Sequence, residues 1–460
     1  MKTFLENLIE PKNTKVKSER FTNAMLKAMI VPLIIEQFLQ LVVGLADTLM
    51  VSYAGETVVS GVSLDTSFYS IFIYVFTALA TGGAVIVSQY LGRKEDESAC
   101  LAASQIFFSA IVSSVFFLIL LVFTGNAILE GLYGAVEPEV MAACKVYLHI
   151  VMLSFPANAL YNAGAALYRT MGKTKTTMYV SIFMNLLNVA GNAIGIFVLH
   201  MGAAGVAWPT TISWYAAAVI MLKLCLDERN EVHVSVKDMF RPYSDMIRRI
   251  LNIAVPNVVE NGLFQISKVV LSAVLATFGT AHIAANGIGQ TIWSFAAMMS
   301  IVMNPVCITT VGKCMGAGDL DEAEYYIQKM IRLTLVLAFC WNAFIVAILP
   351  LLVSLYSITA ETKTLLIIIV IIHNIFAGTV QPVGNTIATS LRTAGDVKFS
   401  MYASIFCTVI CRVALTFLFG VWLNMGVIGV AIAMVLDWCI KMVIMILRYR
   451  SRVWTKFSVI

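Results

Sequence analysis

The stretch "IVPLIIEQFLQLVVGLADTLMV", Ile30 to Val51, is long and apolar enough to cross a bilayer, yet it carries Glu36 and Asp47. A helical span needs about 20 apolar residues. Carboxylates within hydrocarbon are costly and are kept mainly where they have work to do. The start of this stretch returns later in the chain. Shifted by 224 residues, "IVPLIIEQ" meets "AVPNVVEN", which sets Pro32 on Pro256 and Glu36 on Glu260. The same shift aligns "SYAGETV" with "ATFGTAH", Gly92 with Gly316, His149 with His373 and "MGAAGVA" with "MGVIGVA". "LYRTMG" meets "SLRTAG" with a one-residue slip. Agreement this wide around one offset means that one fold is written twice.

Composition carries the reading to the whole chain. Hydrophobic residues make up 60% of the 460 and charged residues only 12%, about half the charge of a soluble domain. Mean hydropathy is +0.87. Twelve spans can be read, near 28–52, 60–89, 101–124, 145–168, 175–199, 203–226, 250–278, 283–312, 330–353, 364–390, 398–422 and 427–447. No small-residue cleavage site follows the first apolar run, so that run is expected to be retained. The expected fold is an all-α integral membrane protein, with two pseudo-symmetric six-helix bundles around a central cleft. The N-lobe runs over 28–226 and the C-lobe over 250–447. A cytoplasmic segment, 1–27, precedes them, a charged cytoplasmic linker, 227–249, joins them, and a cytoplasmic tail, 448–460, follows. Six spans separate the copies, so both have the same orientation and their axis runs along the membrane normal.

Basic residues set the orientation. With both termini inside, cytoplasmic loops and tails hold 27 of the 31 Lys and Arg, and the outside loops only Lys145 and Lys363. The net charge of +5 thus reflects topology, and nothing in it calls for a nucleic-acid partner. An enzyme is not indicated, because the chain has no P-loop, no metal-spaced His/Cys/Glu cluster and no nucleophile elbow. No cofactor is expected, and the nine cysteines, without a CxxC pair, read as packing residues.

The polar residues at membrane depth divide unevenly. The first half has Glu36, Asp47 and Asp65, with no Lys or Arg inside its spans; the second has Glu260 and Asp437 against Lys268 and Arg412. The 224-residue shift sets Asp47 on Leu271, Asp65 on Gly289 and Lys268 on Gly44, so the copies have been specialised. A bare carboxylate in low dielectric takes up a proton or attracts a cation, which places ion coupling in the N-lobe. Glu36 and Asp47 are eleven residues apart, on nearly one helix face but separated by about 16 Å along the axis. They cannot share one ion. Span five offers matching ligands in "NLLNVAGN": Asn188 and Asn192 lie on one face, with Asn185 an i, i+3 neighbour of Asn188. Amide oxygens beside a carboxylate suit a hard cation such as Na+, and they also hydrogen-bond a protonated acid. In the C-lobe, Glu260 and Lys268 are two turns apart on span seven and could be bridged, while Asp437 is the expected anion for Arg412.

These residues carry a resemblance that covers essentially the whole chain. The pieces are "VGLADTLMVSYAG" in span one, "SQYLG" after span two, "LYRTMGKTK" after span four, "NVAGN" in span five, "VPNVVEN" in span seven and "SLRTAGD" after span ten. Together with the duplication, they resemble the multidrug and toxic compound extrusion (MATE) family. The resemblance implies a monomeric secondary antiporter of the plasma membrane, the bacterial inner membrane by expectation, in which influx of H+ or Na+ drives export of small organic, often cationic, compounds by alternating access. It implies that Asp47 forms an N-lobe ion site with Asn188 and Asn192. In the sodium-coupled branch, the glutamate at the position of Glu260 works with an aspartate of span ten. Here the nearest matching position is Gln381, and Lys268 is added to span seven. An ammonium near Glu260 competes with Na+, so the coupling ion stays open. A second reading, a flippase for lipid-linked precursors on the same duplicated bundle, calls for a basic cavity, whereas only two basic residues lie at membrane depth.

Overall fold

The computed structural model describes residues 9–11, 20–134, 136–354, 356 and 358–460. Of the segment 1–27 expected on the cytoplasmic side, 1–8 and 12–19 lie outside the described residues. Twelve helices are long and apolar enough to cross a membrane: α1 (Asn23–Ser52), α2 (Glu56–Arg93), α3 (Asp96–Tyr133), α4 (Pro138–Thr170), α5 (Thr174–Val198), α6 (Ala204–Cys225), α7 (Ser244–Ala276), α8 (Thr280–Gly316), α9 (Leu320–Ser354), α10 (Ala360–Thr379), α11 (Val397–Trp422) and α12 (Gly426–Arg450). Among the described residues there is no strand. Several helices outrun the spans read from hydropathy, because helical geometry continues into polar ends that hydropathy scores as loop.

The chain divides into two compact units, Asn23–Val255 and Pro256–Ile460, the latter joined by the described residues before Asn23. In the first, α1 packs on α5, α2 on α3 and α4, and α6 on α4 and α5. In the second, α8 packs on α9 and α10, α9 on α10, and α12 on α10 and α11. The described residues before Asn23 belong to the second unit through α9: Arg20 pairs with Glu322 at 3.1 Å, and the Phe21 N–H donates to the Tyr326 hydroxyl at 2.7 Å.

The duplication is visible in the backbone. Gly55 (φ 110°) and Gly279 (φ 97°) precede α2 and α8 in a conformation that L side chains rarely adopt, which accounts for glycine at both aligned positions. His200 (φ 49°) and Asn424 (φ 53°), again 224 apart, adopt positive φ before α6 and α12. Close helix crossings repeat as well. A Cβ on Gly205 would stand 2.7 Å from the Gly195 carbonyl oxygen, and one on Gly429 would stand 2.5 Å from the Phe419 carbonyl carbon. These glycines come from "MGAAGVA" and "MGVIGVA", and they let backbones touch where lipid gives helices no hydrophobic reason to associate.

Two helices depart from α geometry. α5 ends in a π-helical segment, Ile194–Val198, and α11 has one near its corresponding end, Phe417–Trp422. α11 has a second, Phe406–Cys411, with no counterpart in α5, and Arg412 follows it directly. Such i→i+5 segments often mark functional positions. The linker 227–249 is folded rather than slack. Gln105 of α3 donates to the carbonyls of Asp238 (2.7 Å) and Arg241 (2.9 Å) and accepts from the Tyr243 N–H (3.0 Å). Val232 and Val234 are buried beside it, and its last residues already belong to α7.

Candidate functional site

Asp47 enters from α1, and Asn188 and Asn192 enter from α5, the helix on which α1 packs. Asn192 Nδ2 donates to Asp47 Oδ1 at 2.9 Å and lies 3.2 Å from the Asn188 amide. One end of the Asn188 amide stands 3.1 and 3.2 Å from the two Asp47 carboxylate oxygens, and its other end meets Thr210 Oγ1 of α6 at 3.1 Å. Thr210 reaches the cluster because α5 and α6 are in close contact there. A Cβ on Gly191 would stand 2.6 Å from the Pro209 Cβ, which explains the glycine within "NVAGN". Asn185 is not part of the cluster; its amide faces Ser181 Oγ at 3.5 Å.

The contact between Asp47 and Asn188 has two chemical forms. A carboxylate calls for the Asn188 N–H, and the amide oxygen then accepts from Thr210. A carboxylic acid donates its own O–H to the Asn188 oxygen, and the turned amide then donates to Thr210 Oγ1, whose hydroxyl donates in turn to the Val206 carbonyl at 2.9 Å. Thr210 serves both forms because a hydroxyl donates and accepts. The cluster can therefore hold Asp47 with or without a proton by turning one amide. No sequence signal singled out Thr210; the adjoining Pro209 in "WPTT" was the available hint.

The other acids are held differently. Glu36 is 3% exposed and meets the Arg169 guanidinium at 2.5 Å and the Thr177 hydroxyl at 3.1 Å. Arg169 lies just past the span read from hydropathy, on the polar end of α4. Glu260 pairs with Arg392 at 2.9 Å and Lys441 at 4.0 Å, and Arg392 also donates to Asn257 at 3.2 Å. The bridge considered between Glu260 and Lys268 is not among these contacts, since eight residues of helix separate the two by about 12 Å. Both glutamates thus take the arginine of the repeated "LYRT" and "SLRT" segments, a pairing that the sequence alignment already contained. Arg412 and Asp437 form a buried ion pair, 4% and 0% exposed. Gln381 accepts from Ser300 at 2.8 Å. Asp65, on α2, is fully buried, and neither of its oxygens has a hydrogen-bond partner among the described residues.

Comparison with known proteins places this arrangement. A family model named MatE matches residues 32–194 and 256–418, twice in one chain at the 224-residue offset. The chain is 29% identical to "Uncharacterized transporter YisQ" of Bacillus subtilis, covering 96% of this chain and 97% of that protein. It is 23% identical to "Probable multidrug resistance protein NorM" of Thermotoga maritima, covering 94% and 93%. The fold matches a structure titled "Outward-facing conformation of a multidrug resistance MATE family transporter of the MOP superfamily", with a TM-score of 0.86 at 19% identity, covering 94% and 97%. A duplicated, twelve-helix membrane chain that meets the MatE model in both halves is a member of the MatE (MATE) family of membrane transporters.

Proposed function

We propose that the protein is an H+-coupled antiporter that exports small organic, often cationic, compounds by alternating access, with Asp47, Asn188, Asn192 and Thr210 as its coupling site. The observation that carries the reading is the cluster around Asp47: an acid without a basic partner among the described residues, held by amides and a hydroxyl that can serve both of its proton states. The proton is favoured over Na+ because Asn192 presents its N–H to the carboxylate, whereas a hard cation takes oxygen ligands. Relatives named as multidrug resistance proteins support the substrate class. Proton uptake at Asp47 turns Asn188, loosens the hold of α5 on α1 and shifts the equilibrium between two arrangements of α1, α2 and α5. The units over 28–226 and 250–447 act as two lobes of a monomer in the plasma membrane, with both termini and the 227–249 linker cytoplasmic.

The test is dye export from proteoliposomes, with a pH gradient and a Na+ gradient imposed separately. Export is expected with the pH gradient alone and to fall to background in Asp47→Asn. Export driven only by Na+ would overturn the choice of ion, and an Asp47→Asn variant that exports like wild type would overturn the site.

A further inference from the structure

The second unit contains a cavity of about 200 Å³ whose chemistry is opposite to that around Asp47. Two cations line it. Lys268 Nζ lies 4.9 Å from the centre of the Phe264 ring, and the Arg412 guanidinium lies 5.3 Å from the same centre. Asp437 neutralises Arg412. Lys268 has no ion-pair partner among the described residues, so the wall carries one uncompensated positive charge. Lys268 is exposed at the cavity wall, so its ammonium is open to an incoming anion beside the Arg412 guanidinium. The remaining polar groups of the lining add hydrogen-bonding capacity. Gln290 lines the cavity, and the Trp293 indole N–H and both ring nitrogens of His373 are buried without a partner among the described residues. His373 is 4% exposed. A buried polar atom left unpaired costs stability unless something else satisfies it.

We infer that this cavity binds a small aromatic carboxylate, its anionic group between Lys268 and Arg412 and its ring against Phe264 and Trp293. The size sets the class. Drug-sized ligands occupy about 300–1,000 Å³, so a cavity of about 200 Å³ accepts a single-ring acid rather than a bulky drug. The arrangement around Arg412 is built for this. The π-helical turn Phe406–Cys411 immediately precedes Arg412, and the Thr408 carbonyl inside it accepts from Ser267 at 3.1 Å, one residue before Lys268. That bond ties the two cation-bearing helices together at the level of the site. The inference does not rest on the reading of Asp47, because binding is measured here without any gradient or transport.

The experiment titrates the purified full-length protein in neutral detergent with benzoate and follows tryptophan fluorescence, since Trp293 stacks on Trp438 with ring centres 6.4 Å apart. Benzylamine and benzyl alcohol are the cationic and neutral controls. Saturable binding is expected for benzoate and not for either control. Lys268→Met is expected to weaken it about tenfold or more, as for the loss of one charge-assisted contact, while Lys268→Arg retains most of it. Monodisperse elution and an unchanged thermal midpoint establish that each variant is folded. The inference is overturned by benzoate binding that Lys268→Met does not weaken, by equal response to benzylamine, or by no saturable response in the wild type.

Discussion

At position 188 the first lobe places an asparagine amide against an aspartate that has no basic partner among the described residues; 224 residues later the second places an arginine that is already neutralised. Asp47 corresponds to Leu271, and Asn192 to Thr416, whose hydroxyl is buried without a partner among the described residues. The repeated glycines, the positive-φ turns and the Glu–Arg pairs keep the two backbones alike, while the helix positions between them have exchanged their charge. Duplication has preserved the parts that hold helices together. It has left the polar positions between them free to diverge.

The largest expected effect tests the shared scaffold. Gly205→Val should drive the α5–α6 backbones apart and remove most of the folded protein, and Gly429→Val should do the same to the α11–α12 crossing. The readout is the yield of monodisperse protein on size exclusion in detergent. If one substitution is tolerated and the other is not, the two crossings are not equivalent. Smaller effects come from the ion pairs. Glu36→Gln takes one carboxylate away from the Arg169 guanidinium and should cost roughly 3 kcal/mol, the scale for breaking a buried pair. Glu260→Gln should cost less, since the Glu260 side chain is 15% exposed against 3% for Glu36. Thermal unfolding followed by tryptophan fluorescence ranks the two, and the reverse order would show that the pairs differ in kind.

The smallest effect separates the lobes most cleanly. Thr210→Val removes one hydrogen bond from the carboxylate form and two from the acid form, so the acid form loses about 1 kcal/mol more support. The pH dependence of dye export should then move. Thr416→Val removes a hydroxyl that bonds to nothing among the described residues, and export should keep its profile. Equal shifts in both variants would end the contrast drawn between the lobes.

Much of this was legible in the residues. Hydropathy and the 224-residue offset yield the twelve helices and the duplication, because apolar length and repeated turn residues are local properties of the sequence. The i, i+4 spacing of Asn188 and Asn192 opposite an unpaired Asp47 likewise identified residues that the structure brings together. Partners contributed by other helices were harder to read. Arg169 looked like a loop residue until α4 was seen to run on to Thr170, and Thr210 is one hydroxyl among many until α5 and α6 meet at Gly191. Lys268 was weighed against Glu260, on its own helix, when its neighbour across the fold is Arg412 beside a shared ring. Sequence spacing reports direction around one helix axis; it does not report which helix lies opposite.

The extra π-helical turn before Arg412 has a consequence for anyone who would convert one lobe into the other. A π segment spends more residues per turn than an α-helix, so equal counts along α5 and α11 do not point side chains in equal directions beyond Phe406. Even so, Leu271, Arg412 and Met434, which stand 224 residues beyond Asp47, Asn188 and Thr210, line one cavity, so an acid–amide set grafted by number would still face a common space.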